Sequence, residues 1–186
     1  MCYSRELAKR LQDERELNDQ FEEAIGSQDF KVYFQPKVSL RTKKVEGAEA
    51  LVRWQHPERG LLSPAVFIPL LEQVTRFGHW MYVCERTCEW MRTWIDRRNP
   101  CFPVSVNLSR VHFTETHFLE RFVEITDRYQ IPRELIEFEL TESIFLDDAH
   151  LQKVREGVKQ IHEYGFRCSI DDFGVGYSSL SLMREF

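Results

Sequence analysis

The stretch Ile136-Glu137-Phe138-Glu139-Leu140-Thr141 (IEFELT, residues 136–141) alternates apolar and polar side chains. A period of two predicts a β-strand with one apolar and one polar face. Amphipathic helices are predicted on both sides of this strand, before it over residues 118–129 and after it over residues 151–161. A strand between two helices is typical of an α/β protein with a parallel sheet.

The same succession extends in both directions along the chain. Ser63-Pro64 predicts a helix start, because serine is a good N-cap and proline fits the first helical position. A helix is therefore expected at residues 64–75. A second, longer helix is expected at residues 79–97. The other strand candidates are Val32–Leu40, Ala48–Gln55, Pro103–Leu108 and Arg167–Asp171. Five strands joined by helices fit either an open doubly wound sheet or part of a (β/α)8 barrel.

The polar faces of these strands favour the barrel. Parallel strands that are covered on both sides are nearly continuous apolar runs, whereas every strand here carries polar groups on one face. Tyr33, Gln35 and Lys37 share a face of the first strand. A barrel lumen that opens into a polar site explains this pattern. Because a complete barrel takes about 250 residues, we expect about the first five βα units of one.

Composition excludes several classes of function. The net charge is −5, with 42% hydrophobic and 30% charged residues. This balance is typical of a globular protein and argues against a broad basic surface for DNA or RNA. The N-terminus lacks an apolar signal core, and the five cysteines show no metal-type pairing. We therefore predict a cytoplasmic domain, with membrane anchoring left open for an upstream region.

Acid and amide side chains stand out at four places, the last of them a pair at a strand end where one side chain points inward and the other turns over the rim: Glu49, Asn107, Glu139 and Asp171-Asp172. Clustered buried carboxylates need a cation, and a set of oxygen ligands favours Mg²⁺ or Mn²⁺. Each residue alone also has a structural interpretation. Glu49 could pair with Arg53, and Asp172 could cap a turn. The spacing by itself leaves a metal site and these ordinary polar contacts equally open.

Longer motifs identify a family. Glu49-Ala50-Leu51-Val52-Arg53-Trp54 resembles the signature of the EAL domain family of cyclic di-GMP phosphodiesterases. Five further stretches resemble the family's motifs in the same order: Tyr33-Phe34-Gln35-Pro36, Ser63-Pro64 with Phe67-Ile68-Pro69, Val106-Asn107-Leu108-Ser109, Glu139-Leu140-Thr141-Glu142-Ser143 and the stretch from Asp171 to Leu180. An unrelated barrel enzyme acting on phosphorylated metabolites would need six coincidences.

The resemblance implies a modified (β/α)8 barrel whose first strand runs against the others. It also implies hydrolysis of cyclic di-GMP to linear pGpG by a mechanism with two Mg²⁺ or Mn²⁺ ions. The implied metal ligands are Glu49, Asn107, Glu139, Asp171 and Asp172. The implied catalytic residues are Glu49, Asp171, Asp172 and Glu142, with Glu142 holding the loop at residues 173–179. The implied contacts to the dinucleotide are Gln35, Leu51 and Arg53, with Arg53 at a phosphate.

The resemblance also implies a division of the chain. Residues 1–26 would be a linker helix and residues 27–186 the N-terminal two-thirds of the EAL domain, without its last catalytic residues. We expect such a polypeptide by itself to be inactive. An upstream GGDEF or sensory domain and a homodimer are both compatible with the family. The alternative is a non-catalytic cyclic di-GMP receptor or protein-interaction module, but such relatives usually lose metal ligands that this sequence retains.

Overall fold

The computed structural model describes residues 12, 15–74, 78–115, 117–141, 144 and 151–171. Within these residues the strands form one sheet. The strands are β1 (Phe30–Val38), β2 (Val45–His56), β3 (Gly60–Leu62), β4 (Val104–Asn107), β5 (Ile136–Thr141) and β6 (Arg167–Asp171). Each of the five predicted strands is present, and β3 is an addition.

One of the described helices precedes β1, two lie between β3 and β4, and one lies in each of the next two connections. These helices are α1 (Phe21–Gly26), α2 (Pro64–Val74), α3 (Gly78–Asp96), α4 (Phe118–Arg128) and α5 (Leu151–Glu163), with 3₁₀ turns at Arg110–Thr114 and Arg133–Leu135. The predicted helices after β3, β4 and β5 are therefore confirmed. None of the described helices has both the length and the apolar composition that a membrane span requires.

The strand order is β1-β2-β4-β5-β6, with β3 paired to β2 outside this path. β1 is antiparallel to β2, whereas β2, β4, β5 and β6 run parallel. This is the arrangement of the first part of a modified (β/α)8 barrel with an inverted first strand. It confirms the predicted α/β fold class and the parallel βα units.

The first predicted strand, Val32–Leu40, extends too far at its carboxyl end. β1 ends at Val38, and Leu40 lies in the turn to β2, where it is 85% exposed. The Ser39 and Lys43 amides close the turn, the first by donating to the Lys44 carbonyl and the second to the Ser39 carbonyl. Leu40 continued an apolar pattern in the sequence, but these local hydrogen bonds end the strand before it.

The apolar core lies between the sheet and the helices. Val104, Val106, Ile136, Phe138 and Leu140 on β4 and β5 are at most 1% exposed. These are the apolar positions of the predicted alternation, so the predicted core face is confirmed. Their polar neighbours in sequence face the other side of the sheet.

Helix α1 packs against the β1–β2 end of this core. Phe21 is 1% exposed, and its ring centroid lies 5.0 Å from that of Phe30 and 6.2 Å from that of Trp54. Residues 1–11 of the predicted linker lie outside the described residues. The predicted division of the chain at residue 26 stays a prediction.

Two glycines position α5. Gly165, just beyond the end of α5, has a φ of +86°, which favours glycine, and the Phe166 amide beyond it donates to the Ile161 carbonyl. Gly157 faces Phe113, and a Cβ at this position would lie 2.4 Å from that ring. The missing side chain therefore allows α5 to approach the 3₁₀ turn at Arg110–Thr114.

His112 in that turn is fully buried beside Trp80, Phe118 and Phe122. Its Nδ1 lies 2.9 Å from the Ser109 carbonyl oxygen, so Nδ1 carries the proton in the neutral ring. Burial lowers the pKa of His112 to about 4, although the hydrogen bond to Ser109 opposes the shift. The folded protein therefore keeps this ring neutral under mildly acidic conditions.

This burial predicts a loss of stability in acid. Between pH 6.5 and about 4 the unfolded chain protonates His112 while the folded chain does not, so acid favours unfolding. The contribution grows to about 3 kcal/mol at the lower end of this range. Urea unfolding of wild type and of His112→Gln at several pH values measures it. The free energy of unfolding should fall less below pH 6.5 in the variant than in wild type. An equal dependence on pH in the two proteins would contradict the assignment to His112.

Candidate active site

The register of the sheet places the predicted site residues on one face. Glu49 lies opposite Gln35 on β1 and opposite Ser105 on β4. Asn107 lies opposite Glu139. Residues directly opposite each other on paired strands point to the same side of a sheet, as do residues two apart on one strand. Glu49, Asn107 and Glu139 therefore share the face away from the apolar core.

Asp171 belongs to the same face but lies at its far edge. It is the last residue of β6, is exposed, and lies opposite Thr141, which is two positions beyond Glu139 on β5. The two remaining acids of the predicted set, Glu142 and Asp172, lie outside the described residues. Four of the five predicted metal ligands thus follow one another across the adjacent strands β2, β4, β5 and β6.

Glu49 and Asn107 are in direct contact. The Asn107 side-chain nitrogen donates to Glu49 Oε1 over 2.9 Å. An amide that donates through its nitrogen keeps its oxygen as an acceptor or metal ligand. Arg53 instead donates to its neighbour's carbonyl, that of Val52. The alternative pairing of Glu49 with Arg53 is therefore not the contact found, and Asn107 orients the carboxylate.

Lys37 contributes a positive charge to the acid cluster, which consists of Glu49, Asn107, Glu139 and Asp171. Its ammonium contacts Glu139 Oε1 and donates to Ser105 Oγ over 2.6 Å. Ser105 in turn donates to Glu137 Oε2 over 3.3 Å. Glu139 is 5% exposed, and burial of a carboxylate is costly unless a positive charge compensates it. Lys37 supplies that charge.

The position of Lys37 in the sequence predicts its face but not its role. Lys37 is two residues from Gln35 on β1, so both side chains are predicted to point to the acid-bearing side. The contact itself could not be read from the sequence, because it depends on how far β1 is shifted along the sheet relative to β5.

The donor set suits a hard divalent cation. Glu49, Asn107, Glu139 and Asp171 carry side-chain oxygens, the kind of ligand that Mg²⁺ and Mn²⁺ prefer. In the part of the chain that the structure describes, no three His, Cys, Asp or Glu side chains converge tightly enough to form a metal site. The chemistry of the residues fits, and the ligand roles stay a prediction.

A cavity adjoins the acid cluster where the strands end. It measures about 400 Å³ and is lined by Leu51, Arg53, Asn107, Pro64 and Thr141, among others. Pockets of this size accommodate small organic ligands. A guanidinium has five N–H donors, and in the described structure one of those of Arg53 bonds to the Val52 carbonyl. Two of the three predicted ligand contacts thus line a cavity beside Asn107, while Gln35 is exposed on the neighbouring strand.

Comparison with known protein families decides the assignment. The model of the EAL domain matches residues 18–186. The chain belongs to the EAL domain family. The identification made from the six motifs is therefore confirmed, and the EAL match begins within the predicted linker helix.

Two curated relatives are much longer than this chain. The bifunctional diguanylate cyclase/cyclic di-GMP phosphodiesterase MucR of Pseudomonas aeruginosa is 32% identical, over 94% of this chain and 25% of its own length. Signaling protein YkoW of Bacillus subtilis is 34% identical, over 88% of this chain and 20% of its own. The chain thus spans a quarter or less of these relatives.

Solved structures share the fold. The PaMucR phosphodiesterase in its cyclic di-GMP complex superposes with a TM-score of 0.84 at 30% identity, over 92% of this chain and 69% of that one. The EAL enzyme Bd1971, bound to cAMP and cyclic di-GMP, gives 0.81 at 29% identity, over 95% and 48%. The described sheet is therefore that of an EAL domain.

Proposed function

We propose that this EAL domain serves the metal-dependent hydrolysis of cyclic di-GMP to linear pGpG. The observation that supports the proposal is the row of acid and amide side chains on one face of the sheet, in which Asn107 bonds to Glu49 and lies opposite Glu139. Support comes from MucR, which is named as a cyclic di-GMP phosphodiesterase, and from the PaMucR complex with cyclic di-GMP.

In this proposal the carboxylates of Glu49, Glu139 and Asp171 and the amide oxygen of Asn107 would hold the first ion. Asp171 and Asp172 would hold the second. Two bound Mg²⁺ or Mn²⁺ ions would supply Lewis-acid chemistry, which lowers the pKa of a water and polarises a phosphoryl oxygen. Asn107 keeps Glu49 turned toward this face through its 2.9 Å hydrogen bond. Glu142 keeps the role that the family implies for it, that of holding residues 173–179.

The cavity beside the acids is the proposed dinucleotide site. Arg53 would donate to a phosphate, Leu51 would supply apolar contact to the same ligand, and Gln35 would reach it from β1. This placement puts the phosphodiester next to the acid cluster, because Asn107 belongs both to the cavity and to the cluster.

Arg53→Ala should weaken cyclic di-GMP binding by about 10- to 100-fold, because a hydrogen bond to a charged group contributes about 1.5–3 kcal/mol. Isothermal titration calorimetry with EDTA present, which prevents metal-dependent turnover, measures the affinity. Arg41→Ala is the control, since Arg41 is an exposed arginine in the turn between β1 and β2. An affinity unchanged in Arg53→Ala, or lowered equally in Arg41→Ala, would contradict the ligand site.

The reaction itself is tested by incubating the protein that carries this chain with cyclic di-GMP and Mg²⁺ or Mn²⁺, with pGpG measured by liquid chromatography. Product formation that EDTA abolishes is expected. Binding without any product would instead identify the non-catalytic receptor, the alternative that Lys37 favours by already balancing the charge of Glu139.

A further inference from the structure

Lys37 is placed where it can control access to Glu139. It lies next to the end of β1 and is paired across the strands with Gly47. From there its side chain crosses the face of the sheet to Ser105 on β4 and Glu139 on β5. The contact joins residues 102 positions apart in the sequence, so it is a product of the fold.

The two partners of this ion pair differ in their surroundings. The Glu139 side chain is 7% exposed, whereas that of Lys37 is 41% exposed. The carboxylate needs a compensating charge, because water reaches little of it. The ammonium can exchange its protein contacts for water, since it sits on a flexible four-carbon stem and is partly solvated already.

In the described structure the Lys37 ammonium contacts one oxygen of the Glu139 carboxylate, Oε1. A divalent ion at Glu139 would therefore meet an ammonium on the same group. Two cations that share one carboxylate repel each other strongly where water is scarce. Either the lysine leaves or the ion binds more weakly.

We propose that Lys37 is a positioning residue that acts as the counter-ion of Glu139 in the metal-free domain and competes with the divalent cation for that carboxylate. This inference rests on the proposed function, because it takes Glu139 to be a metal ligand. Lys37 would keep the metal-free site folded and oriented, and it would raise the metal concentration at which the site fills.

The test is Mn²⁺ binding by the full chain. Electron paramagnetic resonance of free Mn²⁺ measures the dissociation constant. The Mn²⁺ binding that remains in Glu139→Gln is subtracted as background from other sites. Lys37→Met should bind Mn²⁺ about tenfold more tightly or better, since loss of a like charge at short range is worth at least one logarithmic unit. Lys37→Arg keeps the positive charge, so its dissociation constant for Mn²⁺ should stay near the wild-type value.

Lys31→Met is the matched control. Lys31 is exposed and lies on β1 with the same parity as Lys37. The residue opposite it on β2 is Arg53 rather than an acid. The control changes the net charge equally, so it should leave Mn²⁺ affinity within about twofold of wild type. A gain in Lys31→Met equal to that in Lys37→Met would overturn the proposal.

Stability supplies a second readout. Without metal, Lys37→Met should melt at a lower temperature than wild type, because Glu139 loses its counter-ion, and saturating Mn²⁺ should raise the melting temperature more in the variant than in wild type. Ser105→Ala removes the contact of Lys37 with Ser105, together with the bond from Ser105 to Glu137, but leaves Lys37 on Glu139, so it should give a smaller affinity gain. Equal or weaker Mn²⁺ binding by Lys37→Met would overturn the inference alone. Absence of binding in every form, wild type included, would overturn the proposed function with it.

Discussion

Glu49→Gln is expected to lower the rate of cyclic di-GMP hydrolysis about a thousandfold or more in the protein that carries this chain, because a metal-bound carboxylate supports several kcal/mol of transition-state stabilisation. The exchange keeps the shape of the side chain and its contact with Asn107 but removes the negative charge. Initial rates of pGpG formation at saturating Mg²⁺ or Mn²⁺ measure the effect. Asp171→Asn should give a loss of similar size.

Glu46→Gln provides the control for this experiment. Glu46 lies on the same strand, β2, is exposed, and accepts a 2.6 Å hydrogen bond from Thr42 near the turn between β1 and β2. Its exchange should change the rate less than twofold, since an exposed polar substitution away from the site costs little. Near-normal hydrolysis by Glu49→Gln or Asp171→Asn would remove the proposed metal site.

Phe138→Ala is expected to have the largest effect on stability, lowering the free energy of unfolding by about 3–5 kcal/mol. Phe138 is fully buried on β5, with its ring centroid 5.0 Å from that of Phe122 and 5.1 Å from that of Phe166. Truncation to alanine removes these contacts and leaves a cavity between the sheet and α4. Urea unfolding followed by circular dichroism at neutral pH measures the loss.

Phe138→Leu distinguishes loss of volume from loss of the aromatic ring. Leucine fills much of the same space, so the variant should recover more than half of the stability lost by Phe138→Ala. A destabilisation below about 1 kcal/mol in Phe138→Ala would show that this position is not the centre of the core.

Local patterns in the sequence predicted much of the fold. The alternation in residues 136–141 placed Glu137 and Glu139 on one face and Phe138 on the other, as the register and burial show. The glycine cap of α5 at Gly165 was equally predictable. These predictions succeed because side-chain direction in a strand and the end of a helix depend on a few neighbouring residues.

Other features had no adequate local signal. Strand β3 is only three residues, Gly60–Leu62, which is too short for a period to be recognised, and it forms because the turn after His56 returns the chain to β2. The opposite direction of β1 came from the family resemblance, since alternation is the same in parallel and antiparallel strands.

The candidate site also combines features that the sequence predicts with contacts that it does not predict. Strand alternation predicted which acids and amides share a face, and the six motifs predicted the family of the chain. The bond from Asn107 to Glu49 and the ion pair of Lys37 with Glu139 could be seen only in the folded chain. The period of a strand fixes the side to which a residue points, whereas its partner depends on strand order and register, which are set by packing between residues far apart in the chain.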